Sequence, residues 1–224
     1  FLFFLLICST SLFGQYRFER ALPEGLKIAG TAICMLQDQE GFIWIGSTDG
    51  LYRFDGTKIH SFRHQPGDSL SLPNNFVQKL ILGPDGKIWV GTRGGMAYYS
   101  PEFEQLTKFV IPTDSLPGPN ESINSFCIDR EGLLWVATQH GLYRCQQDGT
   151  ELQYFQHEEG NPSSLPNNTV FDVMQDRRGR VWVATFNGLA LYQTNDTSPF
   201  ASFLPSTASS SLVITRFWAI TAQA

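Results

Sequence analysis

Short apolar runs recur along this chain, each four or five residues long and each set between turn-forming residues. Ile43–Gly46 and Val181–Thr185 are two of them, rich in β-branched and aromatic residues, the composition of a strand. An Asp-x-x-Gly segment leads into most of these runs, and a Thr-x-x-Gly or Ser-x-x-Gly segment follows. Asp and Gly tolerate the left-handed backbone that tight hairpins require. Another apolar stretch lies upstream, as in Phe76–Leu82 and Val170–Gln175, and a further one downstream, as in Gln105–Ile111 and Glu151–His157. No segment sustains the apolar period of about 3.6 residues, bracketed by caps, that marks a helix. The pattern predicts an all-β chain of short antiparallel strands.

The unit repeats. Trp44, Trp89, Trp135 and Trp182 are 45, 46 and 47 residues apart, and the text around them recurs: DQEGFIWIGSTDGLYRF, PDGKIWVGTRGGMAYY, DREGLLWVATQHGLYRC and DRRGRVWVATFNGLALY. An Asp, a Gly, a Trp, a Thr or Ser, a second Gly and an aromatic keep one order, which identifies a true repeat. Four strands in about 46 residues make one propeller blade. A single blade cannot bury both faces, so blades must pack side by side, and a large flat Trp on a repeated strand fills the gap. The four tryptophans are therefore assigned to the scaffold. The predicted fold is a β-propeller with four complete four-stranded blades, at about 28–66, 72–112, 116–158 and 165–204, and the start of a fifth at 211–224. SLPNNFV (Ser71–Val77) and SLPNNTV (Ser164–Val170) lie two repeats apart, and SLPGPNESI (Ser115–Ile123) is a longer variant. These segments are expected to link the outer strand of one blade to the inner strand of the next. Gln15–Arg20 reads as an outer strand. The chain is expected to be a fragment of a larger, seven-bladed propeller.

Composition narrows the partners. Hydrophobic residues make up 42% of the 224 residues and charged residues 17%, a folding composition. The net charge of −5 provides no basic stripe for a nucleic acid. Residues 1–14 are expected to be the remnant of a signal peptide: Phe1–Cys8 is an apolar run of h-region length followed by small and polar residues. A buried N-terminal strand is the alternative. Cys34, Cys127 and Cys145 then remain, with no CxxC pair; they read as small buried hydrophobes, with a disulfide or metal role as the alternative.

The repeated pattern, Asp-x-x-Gly, two apolar residues, Trp, apolar, Gly or Ala, Thr-x-x-Gly-Leu and an aromatic, resembles the two-component regulator propeller repeat. The resemblance covers about Tyr16 to Ile220, including the lead-in FERALPEGL. Ala137 and Ala184 depart from the Gly at Gly46 and Gly91, and Gly83-Pro84 stands where the second blade should have a residue followed by the turn Asp. Proteins of this kind are typically large bacterial sensors, often hybrid histidine kinases of carbohydrate-degrading bacteria. Their propellers lie outside the cytoplasmic membrane, ahead of a transmembrane helix and kinase domains. The resemblance implies an exported, periplasmic or otherwise extracytoplasmic sensor region, non-catalytic in itself. It also implies homodimerisation and membrane attachment through segments this sequence does not contain.

No cofactor or metal motif is present. His60, His64, His140 and His157 are scattered and lack ligand spacing. Asp38, Asp129 and Asp176 occupy equivalent turns and read as caps rather than catalytic acids. The candidate ligand contacts are residues that vary at repeated loop positions. Asp49, Gly94, His140 and Asn187 share one place in the turn after Thr or Ser, preceded by Thr48, Arg93, Gln139 and Phe186. In a four-stranded blade that turn lies at the same end as the inter-blade link, which carries Asn74, Asn75, Asn120, Asn167 and Asn168. Asp49, Arg93, Gln139, His140, Phe186, Asn187, Asn75 and Asn168 are expected to ring one mouth of the central channel and suit a glycan or another small ligand. A propeller enzyme of streptogramin-lyase type and a surface interaction scaffold are the alternative readings; a His and Glu pair facing one mouth would favour the enzyme.

Overall fold

The computed structural model describes residues 27–111, 122–193 and 198–203. Sixteen strands among them form four antiparallel sheets. Blade 1 comprises β1 (Ala32–Gln37), β2 (Ile43–Ser47), β3 (Gly50–Phe54) and β4 (Ile59–Phe62). Blade 2 comprises β5 (Val77–Leu82), β6 (Ile88–Thr92), β7 (Gly95–Ser100) and β8 (Gln105–Phe109). Blade 3 comprises β9 (Ile123–Ile128), β10 (Leu134–Thr138), β11 (Leu142–Cys145) and β12 (Gln153–Phe155). Blade 4 comprises β13 (Val170–Gln175), β14 (Val181–Thr185), β15 (Gly188–Tyr192) and β16 (Phe200–Phe203). Strands follow chain order within each sheet. The first strands, β1, β5, β9 and β13, pack on one another from blade to blade and form the inner wall. The expected signal segment, Gln15–Arg20, Asn120 and the start of a fifth blade lie outside the described residues.

The tryptophans sit between blades. Trp44, Trp89 and Trp135 are at most 1% exposed and belong to three successive inter-blade cores. A buried indole N–H needs an acceptor, since leaving it unpaired costs about 1–3 kcal/mol. The turn Asp supplies one. Asp38 Oδ2 accepts from Trp44 Nε1 at 2.7 Å, Asp129 Oδ2 from Trp135 Nε1 at 2.7 Å, and Asp176 Oδ2 from Trp182 Nε1 at 3.0 Å. The other oxygen of each carboxylate accepts two backbone N–H groups of its own turn. These aspartates are caps, as the repeat suggested. The indole of Trp182, together with Arg180, holds the Asp176 carboxyl well below the usual carboxylate range against a smaller opposing effect of desolvation.

Blade 2 departs from the scheme. The ladder pairs Leu82 with Ile88 as it pairs Gln37 with Ile43, and Gly83 N donates to Lys87 O as Asp38 N donates to Phe42 O. Gly83, not Pro84, therefore stands in the place of the turn Asp, which corrects the alignment expected from sequence. Trp89 Nε1 has no acceptor. Asp85 caps Lys87 N instead, at 3.2 Å.

At the other end of each blade the Thr or Ser ahead of the turn closes a two-residue hairpin. Thr92 Oγ1 donates to Gly95 O at 2.8 Å and accepts from Gly94 N at 3.1 Å, and Ser47, Thr138 and Thr185 each donate to the matching Gly carbonyl. That Gly has a φ of +141°, +113°, +145° and +154° in blades 1 to 4, where an L side chain is strained.

The seams between blades are not alike. Arg53 Nη1 donates to Tyr99 Oη at 2.8 Å across the seam of blades 1 and 2, and Arg144 Nη1 to Tyr192 Oη at 2.6 Å across that of blades 3 and 4. The inter-blade links match as well: His64 Nδ1 lies 2.7 Å from Leu72 O, and His157 Nδ1 lies 2.7 Å from Leu165 O. Between blades 2 and 3 the corresponding positions carry Tyr98 and Cys145, which make no such clip. On blade 1, Met35 is 73% exposed, whereas its equivalents Leu80, Phe126 and Val173 are 6%, 0% and 1% exposed.

Two outcomes follow. Gly83→Asp offers Trp89 Nε1 the acceptor it lacks, but its Cβ would meet Asp85 Oδ1 at 2.7 Å and the indole edge at 3.1 and 3.2 Å, so a gain of about 1 kcal/mol in urea unfolding is expected only when Asp85→Ala is added. The depressed carboxyls of Asp176 and of Asp55, the latter held at about 2 by backbone N–H groups of Lys58 and Thr57, contribute stability that is present above about pH 4 and lost as pH falls further. Asp176→Asn should give a shallower acid slope of the urea midpoint than the parent chain.

Candidate functional site

Strand direction decides which loops share an end. The first strand runs away from the inter-blade link, and the second returns toward it, so the turn between second and third strands meets the link. The hydrogen bonds show this meeting in each blade where it is described: Thr48 N donates to Thr31 O, Arg93 N to Phe76 O, and Phe186 N to Thr169 O. The variable turns and the links form one rim.

A bulge marks this rim on the inner wall. Ladder pairing skips one residue between Ala32 and Cys34, Val77 and Lys79, Ile123 and Ser125, and Val170 and Asp172. Ile33, Gln78, Asn124 and Phe171 are the skipped residues, released from the alternation of the sheet.

In blades 3 and 4 the bulge residue meets the turn residue, and in blade 2 a link residue does. In blade 2, the Arg93 guanidinium lies 3.7 Å from the Phe76 ring centroid, a cation–π contact. In blade 3, Gln139 Nε2 donates to Asn124 Oδ1 at 3.2 Å, and Asn124 Nδ2 donates to Val170 O of the next blade at 2.7 Å. In blade 4, the Phe186 and Phe171 rings are 6.3 Å apart, with exposures of 68% and 40%. Just inside the rim, on the residue after each bulge, Lys79 Nζ of blade 2 lies 3.7 Å from Asp172 Oδ1 of blade 4, and Ser125 Oγ of blade 3 donates to the same oxygen. Three blades thus present a cation, a hydroxyl and a carboxylate together, each only partly buried or, for Ser125, buried.

The expected contacts divide into groups. Arg93, Gln139, His140, Phe186 and Asn187 are exposed on the rim. Asp49 is paired with Arg63 at 2.6 Å. Asn75 Oδ1 accepts from His64 N at 2.7 Å and Asn168 Oδ1 from His157 N at 2.6 Å, so both staple their links. Asn74 and Asn167 accept from the backbone N–H two residues on. Sequence reasoning passed over Phe171, Asn124, Phe76, Lys79 and Asp172. The position after each bulge does change from copy to copy, as Cys34, Lys79, Ser125 and Asp172, but inside a strand such variation does not by itself mark a site.

Among the described residues Cys145 is buried and Cys34 and Cys127 are half-buried. Burial pushes the thiols of Cys34, Cys127 and Cys145 up to about 12, and all three are free. No group of His, Cys, Asp and Glu suited to a metal ion occurs among the described residues. At pH 8 these three thiols should react with an aromatic disulfide reagent far more slowly than a free cysteine, and all three should react at once after unfolding in guanidinium. Rapid labelling of the folded chain at any of them would contradict the burial seen here.

Comparison with known proteins agrees with this architecture. A family model described as "Two component regulator propeller" matches residues 28–49, 71–94, 117–140 and 164–187, once in each blade. No curated protein matches the chain. Among solved structures, the extracellular domain assigned to a hybrid two component system of B. thetaiotaomicron is similar with a TM-score of 0.54 at 21% identity, over 77% of this chain and 30% of that one. Virginiamycin B lyase from Staphylococcus aureus gives a TM-score of 0.57 at 13% identity, over 79% and 56%. A gluconolactonase from Xanthomonas campestris gives 0.52 at 14%, over 77% and 61%. At these identities the likeness is one of fold, and the chain spans less than two thirds of each of the three.

Proposed function

Since this chain is built from two-component regulator propeller repeats, we propose that it is the ligand-recognition part of an extracytoplasmic sensor, without catalysis of its own, and that it reads a glycan at the rim. The exposed Phe171–Phe186 pair carries this reading. Two aromatic faces of that exposure, held by a bulge and a hairpin turn, serve no core. A sugar ring offers an apolar face to such a surface. Its hydroxyls both donate and accept, and they match the neighbouring Gln139 amide, the Asn124 amide and the Lys79–Ser125–Asp172 group. The mechanism is population shift: a ligand that prefers one arrangement of propeller and flanking domains biases the whole sensor toward it. The flanking domains of such a sensor would include the dimerising, membrane-spanning and histidine kinase parts.

The enzyme reading asked for a His and Glu pair at one mouth. Ring nitrogens of His64 and His157 lie against link carbonyls, which engages two of the histidines in structure and favours recognition over chemistry at those positions.

Calorimetry of the chain against a panel of neutral and acidic oligosaccharides tests the proposal. At least one should bind, and replacing Phe171 and Phe186 together by Ala should weaken it about tenfold or more, while Phe203→Ser, far out on β16, should not. A panel with no binder, or a binder indifferent to both phenylalanines, overturns it.

A further inference from the structure

The three seams are held by different forces. Blades 1 and 2 are pinned by Arg53 Nη1 donating to Tyr99 Oη at 2.8 Å, and Lys108 Nζ of blade 2 donates at 2.6 Å to Asp68 O in the link from blade 1. Blades 3 and 4 are pinned more heavily. Arg144 Nη1 donates to Tyr192 Oη at 2.6 Å, and Asn124 Nδ2 to Val170 O at 2.7 Å. Arg130 adds its backbone N to Gln175 Oε1 at 2.9 Å and its Nη2 to Arg177 O at 2.8 Å. Across the seam of blades 2 and 3, the side-chain hydrogen bond seen among the described residues is a long one, Ser122 Oγ to Gln78 Oε1 at 3.4 Å.

That middle seam rests on carbon. Trp89, Met96 and Phe109 of blade 2 share a buried cluster with Phe126, Leu134 and Val136 of blade 3. Burial of apolar surface holds two sheets together without fixing the angle between them, because it has no direction. A hydrogen bond does fix an angle. Phe126 also lies against bare backbone: a Cβ at Gly91 would come within 2.7 Å of its Cε1. An aromatic ring bedded on a glycine is a smooth bearing.

Two features lie on either side of that bearing. Away from the rim, a cleft of about 390 Å³ runs between Ile81, Leu82 and Pro84 of blade 2 and Cys127 and Ile128 of blade 3. Toward the rim, Lys79 Nζ of blade 2 reaches past blade 3 to Asp172 Oδ1 of blade 4 at 3.7 Å, and Ser125 Oγ of blade 3 donates to the same oxygen. Phe126 stands between Ser125 at the ion pair and Cys127 at the cleft.

We propose that the seam of blades 2 and 3 is a hinge. Blades 1 and 2 form one rigid body, blades 3 and 4 form another, and the Lys79–Asp172 pair is the latch that sets the angle between them. Rocking over Phe126 that narrows the cleft parts the latch. It also moves Arg93 of blade 2 relative to Gln139 of blade 3 and Phe186 of blade 4, so the rim widens or narrows as a whole. Both latch side chains are partly exposed, and a charged solute in the channel can compete for either. The hinge follows from the seams alone and stands whether or not the rim reads a glycan.

Pulsed electron–electron dipolar distances in the full 224-residue chain test it. Spin labels on a keto amino acid, which leaves the cysteines untouched, are placed in pairs at the exposed positions Thr57, Phe103, Thr150 and Arg178, one in each blade. The Phe103–Thr150 distribution, across the hinge, should be broader than Thr57–Phe103 and Thr150–Arg178, each within one body. Lys79→Met should broaden it further and leave the other two as they were. Tyr98→Arg together with Cys145→Tyr writes the missing clip into the seam and should narrow it to the width of the others. Should that double variant not fold, the Lys79→Met result decides. A Phe103–Thr150 distribution that Lys79→Met leaves unchanged, a Lys79→Met change shared by all three pairs, or a folded clip variant whose distribution stays broad overturns the proposal.

Discussion

A tryptophan wedged between two sheets must do something with its N–H, and this need organises three of the four described blades. The indole fills the seam because it is large and flat, but burial strips water from its one donor. The acceptor comes from the turn that introduces the same strand. One carboxylate oxygen takes the indole and the other takes two backbone N–H groups, as at Asp129. The side chain that shapes the hairpin therefore also sets the rotamer of the residue that packs the blades. Turn, strand and seam are specified by two residues six apart in sequence.

Blade pairing shows what happens when the rule is kept and when it is relaxed. The first and third seams share an Arg–Tyr clip, a His-to-carbonyl staple in the link and an Asn that caps the chain entering it. The tryptophans there also meet an aromatic of the next blade, Trp44 with Tyr99 at 4.7 Å and Trp135 with Tyr192 at 4.8 Å. The second seam replaces that aromatic by Cys145, and the ring contacts given for Trp89 are with its own sheet, Tyr98 at 5.3 Å and Phe109 at 5.0 Å. The array has a period of two blades laid over the period of one.

Much of the scaffold was legible in the sequence, because the features that build it repeat. Trp spacing, turn Asp and hairpin Gly announced blades and strand order, and apolar runs between turns placed strands such as Val170–Gln175 and Val181–Thr185 to the residue, whereas Glu151–His157 overran the observed Gln153–Phe155. The second turn was misaligned by one position because Pro84 and Asp85 look like a turn signal, while the ladder shows that Gly83 holds the Asp place. The rim was only half legible. Its turn residues stood out by varying, but Phe171 and Lys79 sit inside strands, where variation is expected to be silent. Nothing in a single sequence says that a bulge frees Phe171, or that the inner wall curves enough to bring Lys79 to Asp172 two blades away. Asn75 and Asn168 were attractive for the same reason that they are engaged: a side-chain amide beside a tight link finds backbone to hold.

The inner-strand bulge has one more consequence. Every blade carries a residue at the channel edge that the ladder does not use, so Ile33, Gln78, Asn124 and Phe171 are replaceable without disturbing a single sheet pairing. A duplicated unit usually faces a conflict, since the copies must stay alike to stack yet diverge to be useful. Here the conflict is resolved inside each copy, with one position exempt from the architecture. The propeller is in this sense a set of interchangeable letters mounted on a fixed frame, and its descendants can respell the rim without rebuilding the wall.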